Sequence, residues 1–370
     1  MNQSFDVIVV GAGPAGSTLA RKLAEAGKEV ALLEKAAFPR FKACGGGLPL
    51  RTQTLMELDL DEIPHSKVGR VVLTGGRGLD IVVECNSPVA IVRRESFDEW
   101  LVKKATNKGA QLFEHQRVVS VEKSSSTWNV VTTGGVFKAT ILVACDGAHS
   151  SVLRSLNEVL PQYCPTMETV VSLSEKAQEI DKITAVFDFS SLRKGYGWIF
   201  PAPGGVNIGA GALGMKAHEL RKHVINLAAR SPWVSQDVTG IRGAVIPVFV
   251  KSRDWYAQNG LYLCGDAAGL VDPLTGEGIY YAILSATLAA ESILYANESH
   301  YEEALKRNVV DELTIAARYA YLKHRLPLFF FKLMMRRRRF QDYGKLFVRL
   351  LEGEMSYREI YFLMKGKIFN

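Results

Sequence analysis

No stretch of the 370-residue chain reaches the roughly 18 uninterrupted apolar residues that a membrane-spanning helix requires, so nothing in the sequence is expected to cross a bilayer. Cysteine is sparse and unpatterned. Cys44, Cys85, Cys145, Cys164 and Cys264 are odd in number and never spaced as CxxC, which argues against a disulfide framework and a structural zinc site. The histidines show no metal-ligand spacing either, and no metal is expected. Unpaired thiols point to a reducing, cytoplasmic compartment. The N-terminus has no basic flank or small-residue cleavage site of an export signal, and Val7 to Val10 is expected to serve as a strand. Internal repeats and low-complexity linkers are also missing. What remains is 48% hydrophobic and 22% charged, ordinary for a compact protein long enough to build two or three packed units.

Net charge is near zero everywhere except at the end. Residues 321–370 hold 12 lysines and arginines against 4 acidic residues, a local excess of +8 in a chain whose total is +7. At its centre, Leu326 to Met335 is apolar except for Lys332, and Arg336 to Arg339 follows directly. Two readings stand: a C-terminal helix packed on the body with a solvated basic face, or peripheral contact with an anionic membrane surface. A basic run confined to the tail, without an aromatic stacking platform or binding module, gives little support for nucleic acid.

The opening segment reads as strand (Val7 to Val10), glycine turn, helix (Pro14 to Ala26, stopped at Gly27) and strand (Glu29 to Leu33) ending on Glu34. Gly11-Ala12-Gly13-Pro14-Ala15-Gly16 is the turn of a dinucleotide-binding βαβ unit. Gly11 permits the tight turn, Gly13 lets backbone approach a pyrophosphate, and Gly16 lets helix and strand pack. The phosphates would meet free amides at the helix N-terminus. Glu34, 18 residues after Gly16, stands where a carboxylate can accept both ribose hydroxyls of an adenosine. Some 250 residues later, Cys264-Gly265-Asp266-Ala267-Ala268 leads through Pro273 to Gly276-Glu277-Gly278-Ile279. Amides at a helix starting near Gly278 would stabilise negative charge on a reduced flavin ring.

Between those ends, Lys35 to Pro49 reads as a loop. Short strands follow at Gly69 to Leu73, Leu79 to Glu84 and Val89 to Val92, and then a helix from Arg94 to Lys108 with Phe97, Leu101 and Ala105 on one face. Val118 to Glu122, Trp128 to Thr133 and Val136 to Ala139 read as a meander turned at Gly134-Gly135, and Ile141 to Ala144 as a buried strand ending on Asp146-Gly147. Strands are expected again at Ala185 to Phe189, Val206 to Gly211 and Leu261 to Leu263, a helix at Lys216 to Arg230, and helix throughout after Gly278. The fold class expected is mixed α/β: a dinucleotide-binding domain over 1–70, 93–165 and 255–300, an interleaved antiparallel-sheet substrate domain over 71–92 and 166–254, and a basic helical region over 301–370.

The set GxGxxG with Glu34, Arg94-x-x-Phe97-Asp98, Asp146-Gly147, and Gly265-Asp266 with Pro273 and Gly278 resembles the p-hydroxybenzoate-hydroxylase-type FAD fold. Within it, Cys44-Gly45-Gly46-Gly47 and Gly195-Tyr196-Gly197-Trp198-Ile199-Phe200-Pro201, followed by Asn207-Ile208-Gly209-Ala210-Gly211, are similar to the geranylgeranyl reductase family. The resemblance covers roughly residues 4 to 300. It implies that Ala15, Glu34 and the adjoining Lys35 hold the ADP half of FAD, Cys44 and Gly45 the flavin side, and Arg94 and Val118 the middle of the cofactor. Asp266 would bind the ribityl chain, and Gly278 and Ile279 would offer amides to the ring. Tyr196 and Trp198 would line an isoprenoid pocket. The arginine that usually follows the Asp-Gly motif is replaced at its position by Leu153, with Arg154 next, and Gly269 stands where many hydroxylases of this fold carry histidine.

The activity implied is reduction of carbon–carbon double bonds in an isoprenoid chain by a monomeric enzyme, with NADPH or ferredoxin as electron donor and a nearby acid supplying the proton. No second βαβ fingerprint for a nicotinamide cofactor is present. Cys44 is either the residue that positions the alkene or supplies that proton, or a small residue in a tight turn. Tyr196 and Trp198 are either pocket residues or core. Asp272 and Glu277 read as residues that fix the turn and cap the helix. The Tyr196 to Pro201 segment also lies near a halogenase pattern of two tryptophans before Ile-Pro, which keeps a flavin monooxygenase or halogenase as the alternative, and a flavin-bearing lipid-binding protein without turnover as a third.

Overall fold

Val7, Ile8, Val9 and Val10 are buried whichever face of the sheet they point to, and their strand, Asn2–Val10, lies inside the sheet with a neighbour on each side. A strand covered on both faces must be a continuous apolar run rather than an alternating one. In this computed structural model, which describes residues 2–75, 80–190, 192, 194–235, 237–325 and 337–368, the strand pairs in parallel with Val30–Leu33 and with Gly135–Ala144. At positions 2, 323–325, 337–343 and 364–368 the backbone alone is described. The chain divides into two compact units, 1–41, 95–162 and 247–314, and 42–94, 163–246 and 315–370.

The first unit is built on one sheet in the order Ala257–Gln258, Leu261–Leu263, Gly135–Ala144, Asn2–Val10, Val30–Leu33, Gln111–Phe113, with the hairpin Val118–Ser124 and Thr127–Thr132 attached to Gly135–Ala144. All pairings from Leu261–Leu263 across to Gln111–Phe113 are parallel. The helices Pro14–Glu25 and Ile279–Leu294 pack on each other. Helix Arg94–Thr106 buries Phe97, Leu101 and Ala105, the face expected, together with Trp100. The two strands expected at Val136 to Ala139 and Ile141 to Ala144 are one. Exposed Thr140 separates the two stretches in sequence, and the parallel register with Asn2–Val10 continues past it.

The second unit carries a mixed sheet in the order Arg242–Pro247, Tyr163–Val171, Gly205–Ala212, Gly195–Ala202, Thr184–Asp188, His65–Thr74, Asp80–Val92, Gly47–Leu48. Its boundary differs from the expected one. Residues 42–70 pack here because Gly47–Leu48 pairs with Ala90 and Ile91, and His65–Thr74 pairs with both Asp80–Val92 and Thr184–Asp188. One sheet face carries helix Ala217–Arg230, whose Leu220, Val224 and Leu227 pack with Ile199, Val206 and Ile208. The other face carries Phe187, Phe189, Tyr196 and Phe200, and Phe347, Val348 and Leu351 of helix Arg337–Glu352 pack among its apolar residues. The tail helix is therefore docked on the body over this length. Leu326 to Arg336, and the start of the strand expected at Leu79, lie outside the described residues.

Candidate functional site

Three loops of the first unit leave adjacent parallel strands at their carboxyl ends. Val10 runs into Gly11, Ala144 into Cys145-Asp146, and Leu263 into Cys264-Gly265, and the turns are tied by Cys145 N donating to Val10 O and Cys264 N to Ala144 O. This edge of a parallel sheet is where open α/β folds bind ligands. The glycine motifs far apart in sequence meet here, since a β-carbon on Gly265 would stand 3.4 Å from Cβ of Ala15 and 3.0 Å from Cβ of Ala282.

The three glycines of the first motif have different reasons to lack a side chain. Gly11 has φ +96°, and a β-carbon there would lie 2.8 Å from Cα of Asp146. One on Gly16 would collide with the Gly11 carbonyl oxygen. At Gly13, by contrast, it would meet nothing nearer than the Arg40 guanidinium at 3.8 Å. The protein's own packing does not use the space above Gly13. That space, bordered by the N-terminal amides of helix Pro14–Glu25 and a guanidinium, fits a pyrophosphate.

Buried Glu34 follows the strand Val30–Leu33. Its Oε2 accepts from Ala12 N at 3.1 Å and pairs with Arg40 Nε at 3.2 Å, and its Oε1 accepts from Ala36 N at 3.2 Å. Arg40 also meets the fully buried Asp98 at 3.0 Å. Arg40 was not singled out in the sequence, although a Pro-Arg pair six residues after the strand-ending acid marks it. Lys35 is exposed.

Asp146 Oδ2 accepts from Ser151 N and from Val152 N at 3.2 Å, capping the short helix Ser151–Ser155, and Oδ1 has no hydrogen-bond partner among the described residues. Burial pushes its carboxyl above the usual range, opposed by hydrogen bonds from Ser150 and the following amides. Gly147, at φ +81°, has nothing within 4 Å of its β-carbon position. On the other side, Asp266 Oδ1 lies 3.4 Å from the β-carbon position of Gly278, the residue that opens helix Ile279–Leu294 without a side-chain cap. The turn before it is fixed by Asp272, whose Oδ1 accepts from Leu274 N at 2.7 Å and Thr275 N at 3.1 Å around Pro273, while Gly276 takes φ +75°. Asp272 thus fixes the turn, as its position suggests. Ile279 is the first helical residue, and Val118 is buried at the head of Val118–Ser124.

Cys44, Gly45, Arg94, Tyr196 and Trp198 belong to the second unit. Arg94 is buried at the first position of its helix. The Cys44 segment lies on the aromatic face: a β-carbon on Gly45 would stand 3.0 Å from the Phe200 ring and 3.6 Å from Trp198 Nε1. Gly46 N donates to Cys44 Sγ at 3.4 Å, and Gly46 O accepts from Val92 N at 3.0 Å. Tyr196 and Trp198 alternate on this face with ring centroids 6.0 Å apart, and Trp198 stacks with Phe200 at 6.3 Å. Two residues without an expected role join them. Asn207 Oδ1 accepts from Trp198 Nε1 at 2.6 Å, and its Nδ2 donates to Glu168 Oε2 at 2.9 Å and to Cys44 O at 3.4 Å. Among the described residues no group of histidine, cysteine and carboxylates could hold a metal ion.

Comparison with known proteins agrees with this geometry. A family model described as an FAD binding domain matches residues 4–189. A geranylgeranyl diphosphate reductase of Rhodobacter capsulatus is 33% identical over 304 residues, covering 78% of this chain and 75% of that protein. The crystal structure of a geranylgeranyl bacteriochlorophyll reductase-like protein from Thermoplasma acidophilum superposes with a TM-score of 0.78 at 23% identity, covering 88% and 89% of the two chains. A flavin-dependent brominase superposes nearly as well, with a TM-score of 0.75 at 19% identity over 95% and 94%. These two likenesses show the fold alone, and shape does not separate reduction from halogenation.

Proposed function

We propose that this chain, which belongs to the geranylgeranyl reductase family of FAD-dependent oxidoreductases, saturates carbon–carbon double bonds of an isoprenoid chain carried on a lipid or a diphosphate. The observation that supports this substrate class is the setting of Cys44: a thiol on a loop laid against Tyr196, Trp198 and Phe200, a face that offers apolar aromatic contact. A polyprenyl chain is likewise apolar and uncharged.

Bound FAD would supply the hydride equivalent. The residues that would hold it are the amides after Gly13, Glu34, Arg40, Asp266 and the N-terminal amides at Gly278 and Ile279. The positive end of helix Ile279–Leu294 favours negative charge placed there. In the second unit, Tyr196, Trp198 and Phe200 exclude water and orient the alkene by contact, and Cys44 Sγ carries the proton that completes the addition. An isolated alkene is weakly electrophilic, so its placement carries much of the barrier reduction. The electron donor is a diffusible NADPH or a ferredoxin, and the working unit is a monomer.

The same proposal includes contact with an anionic lipid surface through the tail, whose excess of +8 attracts it. Supporting it, Tyr361, Phe362 and Leu363 of the last helix, Tyr357–Ile368, are 44%, 68% and 45% exposed. Among the described residues no helix is long and apolar enough to cross a membrane.

The test is anaerobic turnover of geranylgeranyl diphosphate and related isoprenoids with dithionite, read by mass spectrometry. A gain of about 2 Da per double bond, one hydride and one proton, is expected. No gain with any isoprenoid overturns the proposal, and a gain of oxygen or halogen under air would move the chain to the monooxygenase or halogenase class.

A further inference from the structure

We infer that Asn207 and Glu168 are positioning residues that set where the Cys44 thiol and the Trp198 ring stand. This rests on the reading that those two groups face the substrate. Val170, Asn207 and Phe200 form one cross-strand row, and Glu168, Gly209 and Trp198 the next, so all project on the same sheet face, two residues apart along each strand. Gly209 has no side chain in the second row, and a β-carbon there would collide with the Trp198 ring. The indole lies flat across that gap and carries its Nε1 to Asn207.

The amide of Asn207 has one workable orientation. Oδ1 accepts from Trp198 Nε1, and Nδ2 donates to both Glu168 and the Cys44 carbonyl. A flip would set the amide oxygen against a carboxylate and the amide N–H groups against an indole N–H, losing all three bonds. Glu168, Asn207 and Trp198 are 4%, 5% and 8% exposed. Burying a carboxylate and an amide in a face otherwise made of aromatic rings costs free energy that apolar residues would not, and the return on such a network is a single geometry. Here that geometry includes the direction of the Cys44 peptide. Its carbonyl is held by Asn207 while its sulfur accepts from Gly46 N, so the loop is fixed at both polar groups.

The experiment uses the full, FAD-loaded chain and four variants: Asn207→Leu, Asn207→Asp, Glu168→Leu and Glu168→Gln. Three quantities are read: FAD per chain, the alkylation rate of Cys44 by iodoacetamide from peptide masses, and kcat and KM for the isoprenoid reduced. Asn207→Leu and Glu168→Leu are expected to keep FAD, change the Cys44 alkylation rate about fivefold or more, and lower kcat about tenfold to a hundredfold with KM within about threefold. Glu168→Gln keeps an acceptor for the Asn207 amide and is expected to stay close to wild type in both. Should Asn207→Leu fail to fold, Asn207→Asp is nearly isosteric, places like charge against Glu168, and is expected to show the same split. Folded variants with unchanged alkylation and unchanged kcat overturn the inference, as does a Glu168→Gln variant as impaired as Glu168→Leu. Failure of the functional reading looks different: Cys44→Ala would then leave turnover intact, while the alkylation arm still reports whether Asn207 holds the loop.

Discussion

Replacing Gly13 by alanine is expected to separate cofactor binding from folding. Gly13 has φ −81° and ψ −170°, extended backbone that any residue adopts, and the new methyl would have 3.8 Å to its nearest neighbour. The apo protein loses only the difference between glycine and alanine at a helix N-cap, about 1 kcal/mol. For a chain of this size that is a melting shift below about 4 °C. The same methyl occupies the space a pyrophosphate needs. Losing even one charge-assisted hydrogen bond from the loop amides weakens FAD by about 1.5–3 kcal/mol, or about tenfold to 150-fold in Kd. Gly16→Ala behaves in the opposite way: its β-carbon meets the Gly11 carbonyl and lies 3.2 Å from Cγ1 of Val9, so helix and strand must separate, at about 1–3 kcal/mol or more in the apo protein itself. The assay is a thermal melt of both FAD-stripped variants, followed by titration with FAD read by flavin fluorescence. A Gly13→Ala protein that binds FAD as tightly as wild type, or that melts as early as Gly16→Ala, refutes the reasoning.

Two further outcomes follow from the second unit. His223 lies buried under Gly197, its Nε2 without a hydrogen-bond partner among the described residues. Burial lowers its pKa, Arg230 adds to that and Asp188 opposes it. The unfolded chain then holds the proton more tightly. The stabilising contribution is complete above the unfolded value of about 6.5 and is lost as pH falls toward the folded one. Urea midpoints at pH 8 and pH 5.5 should differ more for wild type than for His223→Gln, and equal differences would remove His223 from the account. For the tail, the full chain should float with anionic vesicles and not with neutral ones, and salt should weaken it. Serine at Tyr361, Phe362 and Leu363 together, or at Arg336 to Arg339, should each reduce flotation, and undiminished flotation in both overturns the lipid contact.

The cofactor cradle was legible because its demands are local. Gly11 and Gly265 take positive φ just after a strand, Gly16 answers to Gly11 five residues before it, Asp272 holds amides two and three residues on, and buried parallel strands announce themselves as unbroken apolar runs. The second unit was less legible because its logic is register. Tyr163–Val171 carries a proline and two threonines and shows no clean alternation, yet it is held between Gly205–Ala212 and Arg242–Pro247. Asn207, Glu168 and Cys44 are 39 and 163 residues apart in sequence along their hydrogen bonds, and nothing short of the strand order places them together. The domain boundary missed for the same reason. Gly47–Leu48 gives no strand signal of its own, and Ala90 and Ile91 pair with it only once the chain has returned.

Glu34 shows what the structure adds to a motif. The sequence suggests a carboxylate free to accept both ribose hydroxyls of an adenosine. A carboxylate offers about four acceptor positions. On Oε2, Ala12 N and the Arg40 guanidinium already stand at 3.1 and 3.2 Å, and on Oε1, Ala36 N stands at 3.2 Å. Only the two amides hydrogen-bond, one on each oxygen, while Arg40 Nε pairs with Oε2 by charge without a hydrogen bond, so two positions remain for hydroxyls. Arg40, held also by Asp98, lies beside the space above Gly13. The acid that ends the strand therefore works through two partners. It would accept from a sugar, and it pairs with a cation that borders the space above Gly13.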